Sequence, residues 1–376
     1  MRRLLLWLSA WVEVFGAAPL AAQAQKAGHI ISASPVQSQV AGTSAWRIRY
    51  WTRDEHGRQV QATGMVVAPR SKTAAARRVL AWTHGTWGIT NGCSPSASPA
   101  FWKMTPALDA LSSGMVVVAP DYIGLGSGQD IHPFLVGKAT GQAVLDAVRA
   151  ARAIPEAHAG NRFAVWGESQ GGHAALWTAQ VQPSYAPDLQ LVGAVAAAPP
   201  TDLRENLRQS PNATVRAFFT AYISSSWSHI YGAPLGSFAR PATQRIINGL
   251  SKKCIILDQK PKLATVAGIL LLQNALKKTD LADIQPWSRL AQLNSPQTRR
   301  FSVPLMITQD PSDDLVAPAV TRSYAQALCR AGQPLAWVTI NGSGHAYSAK
   351  NSARESLAWI ERRFTGGPPR NDCGKI

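Results

Sequence analysis

The sequence predicts an α/β protein on a mainly parallel eight-stranded sheet, with a long, largely helical insertion between the sixth and seventh strands. Three observations lead there. Short apolar, β-branched runs recur with helical patterns between them, as strands covered on both faces and joined by crossovers do. Residues 200–300 break that rhythm without a clear strand, too long a stretch for a plain loop. Finally, a strand, a serine and a helix meet at Gly167-Glu168-Ser169-Gln170-Gly171.

The elements follow in order. Met1-Arg2-Arg3 is a short positive segment, residues 4–20 are mostly apolar with Glu13 interrupting, and Ala22-Gln23-Ala24 fits a cleavage site. That pattern is a secretory signal peptide over residues 1–24. No Cys follows the apolar run, which argues against a lipoprotein anchor, and the mature chain is expected to start near Gln25 as a secreted protein, periplasmic or extracellular. Residues 29–44, rich in Ser, Ala and Gln, read as a surface lead-in. Residues 46–52 alternate apolar and polar, Glu55-His56-Gly57-Arg58 makes a turn, and 62–68 pairs back as an antiparallel hairpin. Buried strands are expected at 79–83, 115–119, 162–166, 191–196, 303–308 and 335–340. Helices are expected at 141–152, 172–181, 321–328 and 352–364; in the first, Val144, Leu145, Val148 and Ala151 share a face. The core is therefore expected over 25–199 and 301–376, with a helical cap over 200–300. Within the cap, the apolar run 263–272 reads as a buried helix in preference to a lipid-binding one. It falls short of the roughly 18–20 apolar residues of a membrane span.

Composition narrows the function. There are 38 Lys+Arg against 21 Asp+Glu, a formal net charge of +17, with 46% hydrophobic and 16% charged residues. Such a chain builds a globular core. The basic excess is dispersed, in clusters no longer than Arg77-Arg78 or Lys252-Lys253, so no nucleic-acid partner is expected. Cys93, Cys254, Cys329 and Cys373 make an even count for an exported chain, which suggests two disulfides among three possible connectivities. No C-x-x-C spacing points to a metal. No cofactor and no obligate protein partner is inferred.

A G-x-S-x-G pentapeptide arises by chance in roughly one in five chains of this composition, so its context decides. Ser169 sits between a strand and a helix, the arrangement of a nucleophile elbow. Glycines at 167 and 171 relieve crowding there, and the following helix points its positive end at the serine. A serine hydroxyl needs an adjacent base. Of eight histidines, His345 lies in Asn341-Gly342-Ser343-Gly344-His345, directly after the last strand, on the sheet edge where such folds carry their sites. After the seventh strand come Asp310, Asp313 and Asp314. Asp313 is the expected orienting acid, because Val316 can pack inward while Asp313 faces the site. Asp310 precedes a proline and shapes the turn; Asp314 is solvated or caps the next helix. The order Ser, Asp, His is that of the α/β-hydrolase fold. The oxyanion donors are expected to be the backbone N–H groups of Gln170 and of Thr86 in His84-Gly85-Thr86-Trp87-Gly88. Gly88 is the alternative donor, and His84 holds the loop. Asp121 and Tyr122 read as structural, and Asn212-Ala213-Thr214 is a sequon that matters only in a glycosylating host.

In order along the chain, His84-Gly85-Thr86-x-Gly88, Pro120-Asp121-Tyr122-x-Gly124-Leu125-Gly126, His132-Pro133-Phe134, residues 144–152 and Gly167-x-Ser169-Gln170-Gly171-Gly172 resemble the secretory lipase family, over roughly residues 45–375. The resemblance implies a triad of Ser169, Asp313 and His345, a helical cap, and disulfides Cys93–Cys254 and Cys329–Cys373. The chain departs from the pattern at Glu168, where related bacterial sequences often read G-H-S-Q-G-G. It departs again at Gln309-Asp310-Pro311, where a glycine more often follows the strand. An acid at position 168 raises the pKa of the histidine if it faces the ring. The expected function is a secreted serine carboxylic-ester hydrolase, an esterase or lipase for a small-molecule or lipid ester, with transient contact to a lipid surface. A serine peptidase, an acyltransferase and a non-catalytic binding protein on the same fold are the alternatives. The acid-poor, basic cap argues against the peptidase.

Overall fold

Alternation along single strands sorts the core into two layers. In the computed structural model, which describes residues 25–128, 131–210, 212–255, 262–342 and 344–376, Val79 and Ala81 join one apolar cluster while Leu80 and Trp82 join the other. The expected signal peptide at 1–24 lies outside the described residues.

The strands are β1 (Ile30–Val36), β2 (Thr43–Arg53), β3 (Gln59–Pro69), β4 (Arg77–Thr83), β5 (Val116–Ile123), β6 (Ala159–Glu168), β7 (Gln190–Ala197), β8 (Leu305–Gln309) and β9 (Leu335–Thr339). They form one sheet in the order β1-β2-β3-β5-β4-β6-β7-β8-β9. Pairing is antiparallel from β1 to the β3–β5 pair and parallel from there to β9. The helices are α1 (Phe101–Met104), α2 (Gly137–Arg152), α3 (Gln170–Tyr185), α4 (Leu203–Gln209), α5 (Ala213–Tyr231), α6 (Pro241–Leu250), α7 (Leu263–Ala275), α8 (Trp287–Asn294), α9 (Pro318–Arg330), α10 (Ser348–Asn351) and α11 (Ala353–Phe364). Helices α2 and α3 cover one face of the sheet, and α11 contributes Trp359, Ile360 and Phe364 to the other.

Among the described residues the sheet has nine strands where the sequence predicts eight. The extra one, β1, lies in the expected lead-in. Its five middle residues are exposed, so it buries no face and prints no hydrophobic alternation. Its backbone pairing with β2 makes it a strand, and Pro35 is tolerated because β1 is an edge.

Among the described residues, five helices, α4 to α8, lie between β7 and β8. One of them corrects the reading of residues 263–272 as a buried helix. Only Leu272 of α7 is buried; Leu263 is 88% exposed and Leu271 59%. The helix is apolar all round, so its sequence does not say which side faces in. Packing with α5 and α6 uses one side, and each leucine left in water forgoes roughly 1.5–3 kcal/mol. No helix among the described residues is long and apolar enough to cross a membrane.

Disulfides join Cys93 to Cys254 and Cys329 to Cys373. The first ties the segment after β4 to the chain beyond α6, where Ile255 N–H also donates to Trp87 O at 2.8 Å. The second ties the end of α9 to the C-terminal tail.

Candidate active site

The turn between β6 and α3 admits almost no choice of residue at its flanks. A Cβ at Gly167 would stand 1.9 Å from Thr83 Oγ1, and one at Gly171 only 1.8 Å from Thr83 O. The two glycines let the end of β4 cross the turn, where Thr83 Oγ1 donates to Gly171 O at 2.8 Å. Between them Ser169 adopts φ 55°, ψ −120°. A non-glycine residue held at positive φ costs about 1–3 kcal/mol. Main-chain bonds hold it there: Ser169 N–H donates to Ala197 O of β7 at 2.8 Å, and Ser169 O accepts from His173 N–H at 3.0 Å. The hydroxyl thus stands at the N-terminus of the sixteen-residue α3, where negative charge is favoured.

His345 and Asp313 meet. His345 Nδ1 donates to Asp313 Oδ2 at 2.8 Å, and Gln309 Nε2 donates to the same oxygen at 2.9 Å. Asp313 Oδ1 accepts the N–H groups of Leu315 and Val316 at 2.9 and 2.8 Å. This buried carboxylate is therefore fixed by its own turn, and Val316 is buried beside it. Asp310 turns away to accept from Ser312 N–H and from Gly344 N–H at 2.8 and 3.1 Å, which shapes the two loops. Asp314 is exposed.

Ser169, His345, Glu168, Gly85 and Thr86 line one cavity of about 650 Å³. Phe218 and Phe219 of α5 and Thr265 and Ile269 of α7 also line it. A narrower void of about 60 Å³ runs from Ser169, Thr86 and Gln170 past Leu207, Phe219 and Ile223.

Thr86 and Gln170 flank Ser169, and each is held in place. His84 Nδ1 donates to Gly85 O at 2.6 Å, and Tyr122 OH donates to His84 O at 3.1 Å. Burial lowers the His84 pKa, so a neutral ring braces the loop. Gly88 lies instead against Cys93 Sγ. Asp121 accepts from Ser96 N–H, Ser94 Oγ and Thr63 Oγ1 at 2.7 to 2.8 Å, a structural knot. The brace on Gln170 is a residue whose part the sequence did not reveal. Gln170 Nε2 donates to His132 Nε2 at 2.6 Å, while His132 Nδ1 donates to Ile123 O at 2.9 Å. Burial pushes His132 down to about 3, which keeps Nε2 free to accept. His132 lies 38 residues from Gln170, and no spacing rule links them. Among the described residues, no group of three or more His, Cys, Asp or Glu side chains is placed to hold a metal ion.

The model of the family Secretory lipase matches residues 102–372. The chain belongs to the secretory lipase family. This secretory lipase is 27% identical over 360 residues to Lipase 2 of Candida albicans, a match covering 88% of this chain and 74% of that protein. Its fold matches Candida antarctica lipase A in its closed state with a TM-score of 0.76 at 20% identity, covering 93% of this chain and 85% of the other. It also matches the rice cell wall degrading esterase LipA from Xanthomonas oryzae, TM-score 0.69 at 19% identity, over 90% and 96% of the two chains. The fold is that of an α/β hydrolase, and the secretory lipase is a carboxylic-ester hydrolase.

In this secretory lipase Glu168 turns toward the histidine loop, where its Oε1 accepts Ala349 N–H at 2.9 Å. Burial raises its carboxyl, opposed by that N–H and by His345. For His345, burial lowers the pKa, but the bond to Asp313, the Asp313 charge and then the charges of Glu168 and Asp314 outweigh it, so the net direction is up. Replacing Glu168 with Gln keeps an acceptor for Ala349 and removes one charge. The His345 pKa in Glu168→Gln, followed by NMR of the imidazole, is expected to fall. An unchanged or higher value would show that the Glu168 charge does not reach the ring.

Proposed function

We propose that Ser169, His345 and Asp313 act as a catalytic triad in a secreted serine esterase or lipase. The observation that carries this is the 2.8 Å bond between His345 and Asp313 on the wall of the cavity that Ser169 enters from its positive-φ turn. Ser169 Oγ attacks the ester carbonyl as His345 Nε2 takes its proton. The carbonyl oxygen becomes an oxyanion and receives hydrogen bonds from the N–H groups of Thr86 and Gln170. His345 then gives the proton to the departing alcohol, leaving an acyl-Ser169. Water, deprotonated by His345, attacks the acyl carbon, and the serine recovers its proton as the acid leaves. Asp313 keeps the imidazole in the tautomer that leaves Nε2 able to accept, and stabilises its charged form.

The narrow apolar void past Phe219 and Ile223 suits an acyl chain, with the wider cavity open to the alcohol. Residues 200–300 act as the cap over a core of 25–199 and 301–376, since α5 and α7 supply part of the cavity's lining. Secretion is supported by the leader pattern at 1–24 and by two disulfides. The test is a panel of p-nitrophenyl acyl esters against peptide anilides, with product analysis in the presence of glycerol. Fast ester turnover releasing free acid is expected. Faster anilide cleavage would make the protein a peptidase, and glycerol esters as main product an acyltransferase.

A further inference from the structure

The outward side of α7 is apolar and exposed among the described residues. Leu263, Val266, Leu270 and Leu271 are 88, 36, 54 and 59% exposed. At helical spacing they fall on one stripe, opposite Leu272 and Gly268, which pack inward on the other cap helices. Contiguous exposed leucines are uncommon on a protein surface without a use. The stripe is bracketed by positive charge. Lys262 precedes the helix, Lys277 and Lys278 follow it, and all three are exposed. Exposed Lys252 and Lys253 join Lys262 on the rim of the cavity that holds Ser169 and His345. The helix carries no acid, and the first acid after it, Asp280, lies 3.8 Å from Arg208 Nε.

We propose that α7 docks the protein on an anionic lipid bilayer, with its leucine stripe in the headgroup–acyl boundary and the lysines on the headgroups. An apolar helix face with basic flanks is what such a surface binds. A second copy of the chain fits worse. Antiparallel pairing would set the Lys262 end of one helix against the Lys277–Lys278 end of the other, and one short helix face falls below the roughly 800 Å² per partner of a stable interface. The inner side of α7, through Thr265 and Ile269, lines the same cavity as Ser169, so docking would hold that cavity next to the lipid. That consequence rests on the catalytic reading of Ser169; the docking does not.

The test is co-sedimentation of the full mature chain, carrying Ser169→Ala to prevent turnover, with vesicles of phosphatidylcholine alone or mixed with phosphatidylglycerol. Binding to the mixed vesicles is expected, weaker by about tenfold or more on phosphatidylcholine alone or at high salt. Leu263→Ser with Leu271→Ser is expected to cut binding by about tenfold or more. On the otherwise native chain the same pair should leave hydrolysis of a soluble short ester unchanged. No binding to the mixed vesicles, undiminished binding by the double variant, or a dimer in light scattering that the double variant disperses would each overturn the proposal. Intact vesicle binding without any ester hydrolysis would instead sink the reading of Ser169.

Discussion

Ser169→Ala is expected to lower kcat on a soluble p-nitrophenyl ester by on the order of 10⁵-fold, with the fold retained. On the proposed mechanism the substitution removes the attacking oxygen and little else. The bonds that hold the elbow are main-chain, from Ser169 N–H to Ala197 O and from His173 N–H to Ser169 O, and an alanine makes both. It also occupies φ 55° with no more strain than a serine. The Thr86 and Gln170 N–H groups stay in place, so a residual rate of about 10³–10⁴ over the uncatalysed reaction is expected from oxyanion and substrate binding. Steady-state kinetics, labelling by a fluorophosphonate probe and a thermal melt together test this. A variant that melts like the native chain and keeps full activity would remove Ser169 from the mechanism.

Asp313→Asn should lower kcat by about 10³–10⁴-fold, while Asp314→Asn stays within about twofold. The size follows from the bonds each carboxylate makes. Asp313 accepts four, two from its own turn and two from Gln309 and His345. An asparagine that keeps its oxygen toward Leu315 and Val316 must point its NH₂ at two other donors. His345 then has to present a bare Nδ1, its proton moves to Nε2, and it cannot take the serine's proton. The acid limb of kcat/KM serves as an independent readout. The Asp313 bond and charge raise the His345 pKa, and the base works when neutral. Weakening them should move that limb to lower pH in whatever activity remains. Asp310→Asn disturbs Ser312 and Gly344 but not the imidazole bond, so it should cost far less. A larger loss in Asp310→Asn than in Asp313→Asn would transfer the orienting role to Asp310.

What the sequence made legible and what it hid divide along physical lines. Strands β4 to β9 were visible because helices cover the sheet on both faces and the residues record it as apolar runs. Strand β1 was not, because it is held by backbone bonds along an exposed edge. The order of Ser169, Asp313 and His345 could be read because each follows a strand that announces itself. The choice of Asp313 over Asp310 could be argued from the inward Val316, and Asp313 is the one whose carboxylate meets His345. The direction of Glu168 and the brace of His132 on Gln170 depend on how distant segments approach, and neither leaves a periodic mark. The exposure of helix α7 is hidden in the sequence because apolar character on every side gives no orientation.

The Cys93–Cys254 bridge bears on how relatives of this chain can be recombined. It fastens the loop carrying Thr86 to the chain between α6 and α7, in the midst of the helices that follow β7, and Ile255 adds a main-chain bond to Trp87. Those helices are consequently not an exchangeable cassette. A chimera that imports them from a member lacking a cysteine at the position of Cys254 leaves the Cys93 thiol unpaired, and the loop beside Ser169 loses its anchor. Loop and helices are expected to be inherited, shuffled or redesigned as one unit, although some 161 residues of chain separate their joined ends.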